Sequence, residues 1–150
     1  MASLNESIRT YSNGVLHSLN GEPAEISLNG TKKWYQYGQL HRDNDLPAVI
    51  YLTGQKYWYQ NDELHRDNDR PAIIDDVNKF QAWYQYGQLH RDNDRPALID
   101  DVAHLEEWYQ YGVRHRDNDR PAVRDNGTLK WYQNGKLKRN GDLPTKVFCG

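Results

Sequence analysis

Trp83-Tyr84-Gln85-Tyr86-Gly87-Gln88-Leu89-His90-Arg91-Asp92-Asn93-Asp94-Arg95-Pro96-Ala97-Leu98-Ile99 decides the fold, because this string returns along the chain at a near-constant interval. All five tryptophans mark the same phase: Trp34, Trp58, Trp83, Trp108 and Trp131. All six prolines mark a second phase: Pro23, Pro47, Pro71, Pro96, Pro121 and Pro144. The tyrosine column is complete, with Tyr11, Tyr35, Tyr59, Tyr84, Tyr109 and Tyr132. One small module is therefore copied six times. The reading is a tail over 1–9, then one repeat domain over 10–150 with units 10–33, 34–57, 58–82, 83–107, 108–130 and 131–150. The first unit lacks the tryptophan and the Arg-Asp-Asn-Asp string, and the last is decayed. Atypical end units suit a stacked array whose outermost modules meet water.

No stretch carries a helical apolar rhythm. Short β-branched and aromatic runs alternate with turn signals, so the expected class is all-β: an elongated antiparallel meander or hairpin array. Lys33 to Tyr37 reads as a strand, Tyr37-Gly38 as a hairpin turn, and Gln39 to Arg42 as the return. Asp43-Asn44-Asp45-Leu46-Pro47 reads as a loop, because proline cannot donate to a ladder and Asx side chains bond nearby backbone. Ala48 to Leu52 leads to the next copy. Two strands per unit in a continuous ribbon would span roughly 60 Å. Lys130, Lys136, Lys138 and Arg139 would guard its final edge.

Only 37% of residues are hydrophobic, so a thick core is excluded and aromatics must supply much of the buried area. The net charge of −2, with acids and bases interleaved in every unit, argues against a nucleic-acid scaffold. The single cysteine, Cys149, excludes a disulfide framework. No run reaches the length of a membrane span, and Met1 to Ile8 lacks the apolar centre of a signal peptide. The expected location is the cytoplasm.

Tyr11-Ser12-Asn13-Gly14-Val15-Leu16-His17, and the variant Tyr35-Gln36-Tyr37-Gly38-Gln39-Leu40-His41, resemble the MORN repeat family. The likeness runs in phase from residue 10 onward and covers about a third of each unit in identity. The Trp-Tyr start and the His-Arg-Asp-Asn-Asp-x-Pro-Ala string depart from the family's pattern. They look like a divergent form of the sort found in arrays in large DNA viruses and bacteria. The resemblance implies a twisted antiparallel ribbon used for scaffolding or protein contact; in a viral setting, host cytoplasm or virion would be its location. It implies no conserved chemistry, and the departures weaken a lipid-binding role.

Strand alternation places the Trp and Tyr columns on opposite faces. A two-residue turn pairs tyrosine with leucine, whereas a glycine-bulge turn, better suited to Tyr-Gly, pairs tryptophan with leucine. The tyrosine–leucine face is taken as the interior. Trp34, Trp58, Trp83, Trp108 and Trp131, with His41, His65, His90 and His115, then form the candidate interaction face. The competing reading makes both aromatic columns packing between units, with each histidine stacked on an aromatic and bonded to its loop. The Asp-Asn-Asp triplets invite calcium, but flanking arginines supply the positive charge instead. An Arg–Asp ladder between copies is expected, with Arg66, Asp67, Arg91 and Asp92 as structural residues beside the tyrosines and prolines. Paired acids such as Asp75-Asp76 and Asp100-Asp101 read as solvated turn residues.

Neither a catalytic constellation, a metal site nor a cofactor motif emerges. The expectation is a non-enzymatic scaffold that contacts another protein or itself, a homodimer being one form, with no nucleic-acid partner. The alternative is a ligand-binding module like the choline- and glucan-binding aromatic hairpin repeats.

Overall fold

The computed structural model describes residues 7–142. Pro144, Cys149 and the first six residues of the expected tail lie outside the described residues. Among the described residues the chain is all-β, with 22 short strands and no helix. Twelve strands pair antiparallel into one long sheet, and ten more form five separate two-stranded hairpins. At ordinary strand spacing the sheet extends about 55 Å.

Each of the first five units has four strands rather than the two of a continuous ribbon. In the clearest copy, Phe80–Ala82 and Leu98–Asp100 lie side by side in the long sheet, with Ala82 opposite Leu98. Between them the chain leaves the sheet as a hairpin, Tyr84–Gln85 against Gln88–Leu89, then returns through the Asp-Asn-Asp loop. The Trp83 N–H donates to the Ala97 carbonyl at 2.8 Å and closes the neck of this excursion. Unit boundaries drawn at each tryptophan therefore fall one strand late. Ile8–Arg9, assigned above to the tail, is the first edge strand of the sheet and pairs with Glu25–Ile26.

The break at tryptophan corrects the continuous strand expected over Lys33 to Tyr37. Lys32–Lys33 belongs to the sheet, Tyr35–Gln36 belongs to the hairpin, and Trp34 is the corner between them. Its N–H donates to the Ala48 carbonyl, next to the sheet strand Val49–Ile50, and its carbonyl accepts from the N–H of His41, next to the hairpin strand Gln39–Leu40, at 3.1 Å. Strict alternation of side chains ends at such a corner. The last unit has no corner. Thr128–Gln133 and Lys136–Asp142 form one long hairpin that stays in the sheet, with a bulge between Trp131 and Tyr132. Lys136, Lys138 and Arg139 lie on this outermost strand, where charge opposes further pairing.

The hairpin tips are two-residue turns with both central residues at positive φ: Tyr37 at 49° and Gly38 at 85°; Tyr86 at 48° and Gly87 at 73°. This geometry sets tyrosine opposite leucine, as in Tyr35 with Leu40 and Tyr84 with Leu89. Tyrosine resists the left-handed region, and contacts from the preceding unit compensate. The Tyr37 N–H donates to His17 Nδ1 at 3.1 Å, and the two rings lie 5.0 Å apart. The next residue, Gly38, donates its N–H to the Leu16 carbonyl at 2.9 Å. The same backbone bond recurs from Gly87 to Leu64, Gly112 to Leu89 and Gly135 to Arg114, and it stacks the hairpins into a second row.

Candidate functional site

The residues singled out by repetition converge on the loop side of each corner. Trp34, Trp58, Trp83 and Trp108 are only 5–7% exposed. This overturns the tryptophan column as an interaction face. At the corner each ring is enclosed by sheet, hairpin and loop together, and a large apolar ring is worth most where water is excluded. Trp131, in the unit without a corner, is half-buried. Both aromatic columns are packing within the array, since Tyr35, Tyr59, Tyr84, Tyr109 and Tyr132 are half-buried as well; Tyr11, in the first unit, is exposed. Burial and the neighbouring Glu25 push the Tyr35 hydroxyl up to about 12, and burial with Glu107 does the same to Tyr109.

The indole N–H of each tryptophan reaches the loop of the preceding unit. Trp58 donates to the Asp45 carbonyl at 3.0 Å, Trp83 to Asp69 at 3.1 Å and Trp108 to Asp94 at 3.0 Å. Over each ring lies the arginine that follows the histidine. Arg66 sits 3.7 Å from the Trp58 ring centre, Arg91 3.7 Å from Trp83 and Arg116 3.8 Å from Trp108. Each guanidinium also donates to the proline carbonyl of its own loop, at 3.1 Å for Pro71, Pro96 and Pro121. Its remaining edge grips a carboxylate of the preceding unit. Arg66 holds Asp45 through Nε and Nη2 at 2.8 and 2.9 Å, and Arg91 and Arg116 hold Asp69 and Asp94 in the same way. Arg70, Arg95 and Arg120 close on the same three acids from the other side.

An Arg–Asp ladder therefore joins the units, but its acid is the second aspartate of each triplet. Asp67 and Asp92, expected to pair with the arginines, instead accept from His65 and His90 Nε2 at 3.0 and 3.2 Å. Those histidines belong to the stack rather than to an interaction face. His65 and His90 are buried, and their Nδ1 atoms accept the N–H of Tyr86 and Tyr111 from the next unit. His41 and His115 repeat the pattern with Asn61 and Asn134. A ring accepting at Nδ1 donates at Nε2, so the two bonds fix one tautomer. With their carboxylates taken by arginine and histidine, the triplets offer no open oxygen cage; among the described residues no cluster suited to a metal ion occurs. Asp75 also departs from its reading as a solvated acid. It is buried and accepts from the Val77 and Asn78 N–H groups, holding the sheet turn.

Hydrogen bonds from Arg66, Arg91 and Arg116 hold Asp45, Asp69 and Asp94 below the ordinary carboxylate value of 3.8. A depressed folded pKa stabilises fully above the unfolded pKa, and that contribution disappears as pH falls through the folded value. Asp69→Asn is thus expected to cost about 1 kcal/mol at neutral pH. The gap between variant and native thermal midpoints should stay constant down to about pH 4 and close below it. A gap independent of pH in acid would show that the carboxylate charge contributes nothing.

Compared with known protein families, curated proteins and solved structures, the chain matches none.

Proposed function

We propose that this chain is a non-enzymatic repeat scaffold that holds partner proteins, or further copies of itself, along a periodic surface. The supporting observation is a pair of exposed apolar rows. Tyr37, Tyr86 and Tyr111 stand 71–80% exposed at the hairpin tips. Leu28, Leu52, Val77 and Val102 stand 67–78% exposed in the turns of the long sheet. Large apolar groups left in water at the same place in repeated units mark a contact surface better than scattered ones do. Two sheet strands per unit set neighbouring units roughly 10 Å apart, so the leucine–valine row has a member at every step and the tyrosine row skips one at Asn61. A partner with matching repeats would engage several weak contacts at once, and linked contacts multiply affinity. The resemblance to MORN arrays points the same way. The choline- and glucan-binding alternative draws less support, because the tryptophan faces are already covered by guanidinium groups.

The tip tyrosines provide the test. Asparagine occupies the same turn position at Asn13, Asn61 and Asn134, at positive φ each time. Tyr37→Asn, Tyr86→Asn and Tyr111→Asn together should leave the fold and thermal midpoint nearly unchanged. Light scattering should show native chains at more than one chain mass, or a retained partner, and the triple variant should lose at least tenfold in that association. Native protein that stays at one chain mass at every concentration and retains no partner would end this reading.

A further inference from the structure

The ladder has one rung without its acid. Arg42 is placed like the other ladder arginines: its guanidinium lies 3.8 Å from the Trp34 ring centre, and Nη1 donates to the Pro47 carbonyl at 3.2 Å. The loop facing it is also in place, since Trp34 Nε1 donates to the Gly21 carbonyl at 2.8 Å, as Trp58 does to Asp45. Gly21 therefore occupies the position of Asp45, Asp69 and Asp94, and it has no side chain. Among the described residues no carboxylate pairs with Arg42. Glu22 acts on it only through its field, while burial lowers the Arg42 pKa. The second clamping arginine is missing as well, replaced by the exposed Leu46. The rung opens on a cleft of ≈ 270 Å³ lined by His17, Gly21, Trp34, Arg42, Asp43 and Leu46 among others, similar in size to the cleft of ≈ 290 Å³ at the filled Asp45 rung; Asp43 is already engaged by Gln36 and His41.

We propose that this vacant rung is a binding site for a carboxylate carried on an apolar body. The Nε and Nη2 edge of Arg42 takes the two carboxylate oxygens, as the matching edges of Arg66, Arg91 and Arg116 take aspartate. A planar fork held over an aromatic ring is set up for bidentate recognition of a planar anion. Leu46, standing where other rungs carry a cation, receives the apolar part. This site is independent of the exposed rows and stands whether or not they bind protein.

The test uses the full chain and side-chain Nε–Hε NMR signals, with the Arg42 signal assigned by its loss in Arg42→Lys. Hexanoate should shift that signal saturably, and about tenfold more tightly than acetate, as burial of several methylenes implies. The peptide acetyl-Leu-Leu with a free carboxyl end is the second probe; whichever of the two binds tighter tells an acyl-chain source from a peptide terminus. Their neutral amides should leave the signal in place. Gly21→Asp should fill the rung from within. Its backbone, at φ +79°, meets nothing within 4 Å of an added Cβ, and aspartate already adopts positive φ at Asp45, Asp69 and Asp94. This variant should lose the hexanoate shift and melt about 2–4 °C higher. No saturable shift in the native chain, a shift that persists in Gly21→Asp, or tighter binding of inorganic phosphate than of either carboxylate would overturn the proposal.

Discussion

Trp83→Ala is expected to destabilise the array by about 3–5 kcal/mol, among the largest losses available to a single substitution here. Three contacts go with the ring. The buried indole leaves a cavity at a corner where the neighbouring Ala72 and Ala97 are fully buried and have nothing with which to fill it. The Asp69 carbonyl loses its donor. Arg91 loses the aromatic face 3.7 Å beneath its charge, so the guanidinium that ties two units is less firmly placed. Trp131→Ala should cost only about 1–2 kcal/mol, because its ring is half-buried and Arg139 lies farther off at 4.3 Å. Urea denaturation of the two variants decides the matter. Equal losses at the two positions would mean that the corner tryptophans are not the core of the array.

That contrast also shows where the sequence could be read and where it could not. The period, the turn positions and the loop character of Asp43 to Pro47 follow from residue type alone, because glycine, asparagine and proline restrict the backbone locally. The ladder was legible as chemistry, arginines beside aspartates in every unit. Its pairing was not, because choosing Asp69 over Asp92 for Arg91 depends on how one unit sits on the next. The burial of the tryptophans is not legible for a related reason. Alternation assigns faces only along an unbroken strand, and the chain turns a corner at Trp34, Trp58, Trp83 and Trp108. The turn at Tyr86-Gly87 is a third case. Tyrosine alone argues for a bulge, but His65 of the preceding unit accepts the Tyr86 N–H at 3.1 Å and packs its ring 4.6 Å away, which favours the two-residue turn. The gap at Gly21 is present in the sequence as a missing aspartate, but its consequence depends on the pose of Arg42 over Trp34, which residue type alone does not give.

A fragment of one repeat length, 83–107, should be unfolded in water, a fragment of two, 58–107, marginal at best, and the full chain cooperative. Alone, 83–107 keeps a two-residue-armed hairpin, the three-residue pairing of Leu98–Asp100 with Leu105–Glu107, the neck bond from Trp83 to Ala97 and the Arg91 contact with its own Pro96, and it loses the strand Phe80–Ala82 that pairs with Leu98–Asp100 in the chain. It loses everything that Trp83, Arg91 and Tyr86 gain from the previous unit: the Asp69 carbonyl, the Asp69 carboxylate and the His65 ring. Backbone ordering costs about 1–2 kcal/mol per residue, and an isolated hairpin in water recovers that only marginally. Each added unit brings one further interface built from the same contacts, so stability should grow with unit number rather than with chain length as such. Thermal melts followed by tryptophan fluorescence would show the midpoint and steepness rising together from two units to six. A lone unit melting sharply would place the stability within units, and the ladder of tryptophan, arginine and aspartate would then be decoration on modules that already fold alone.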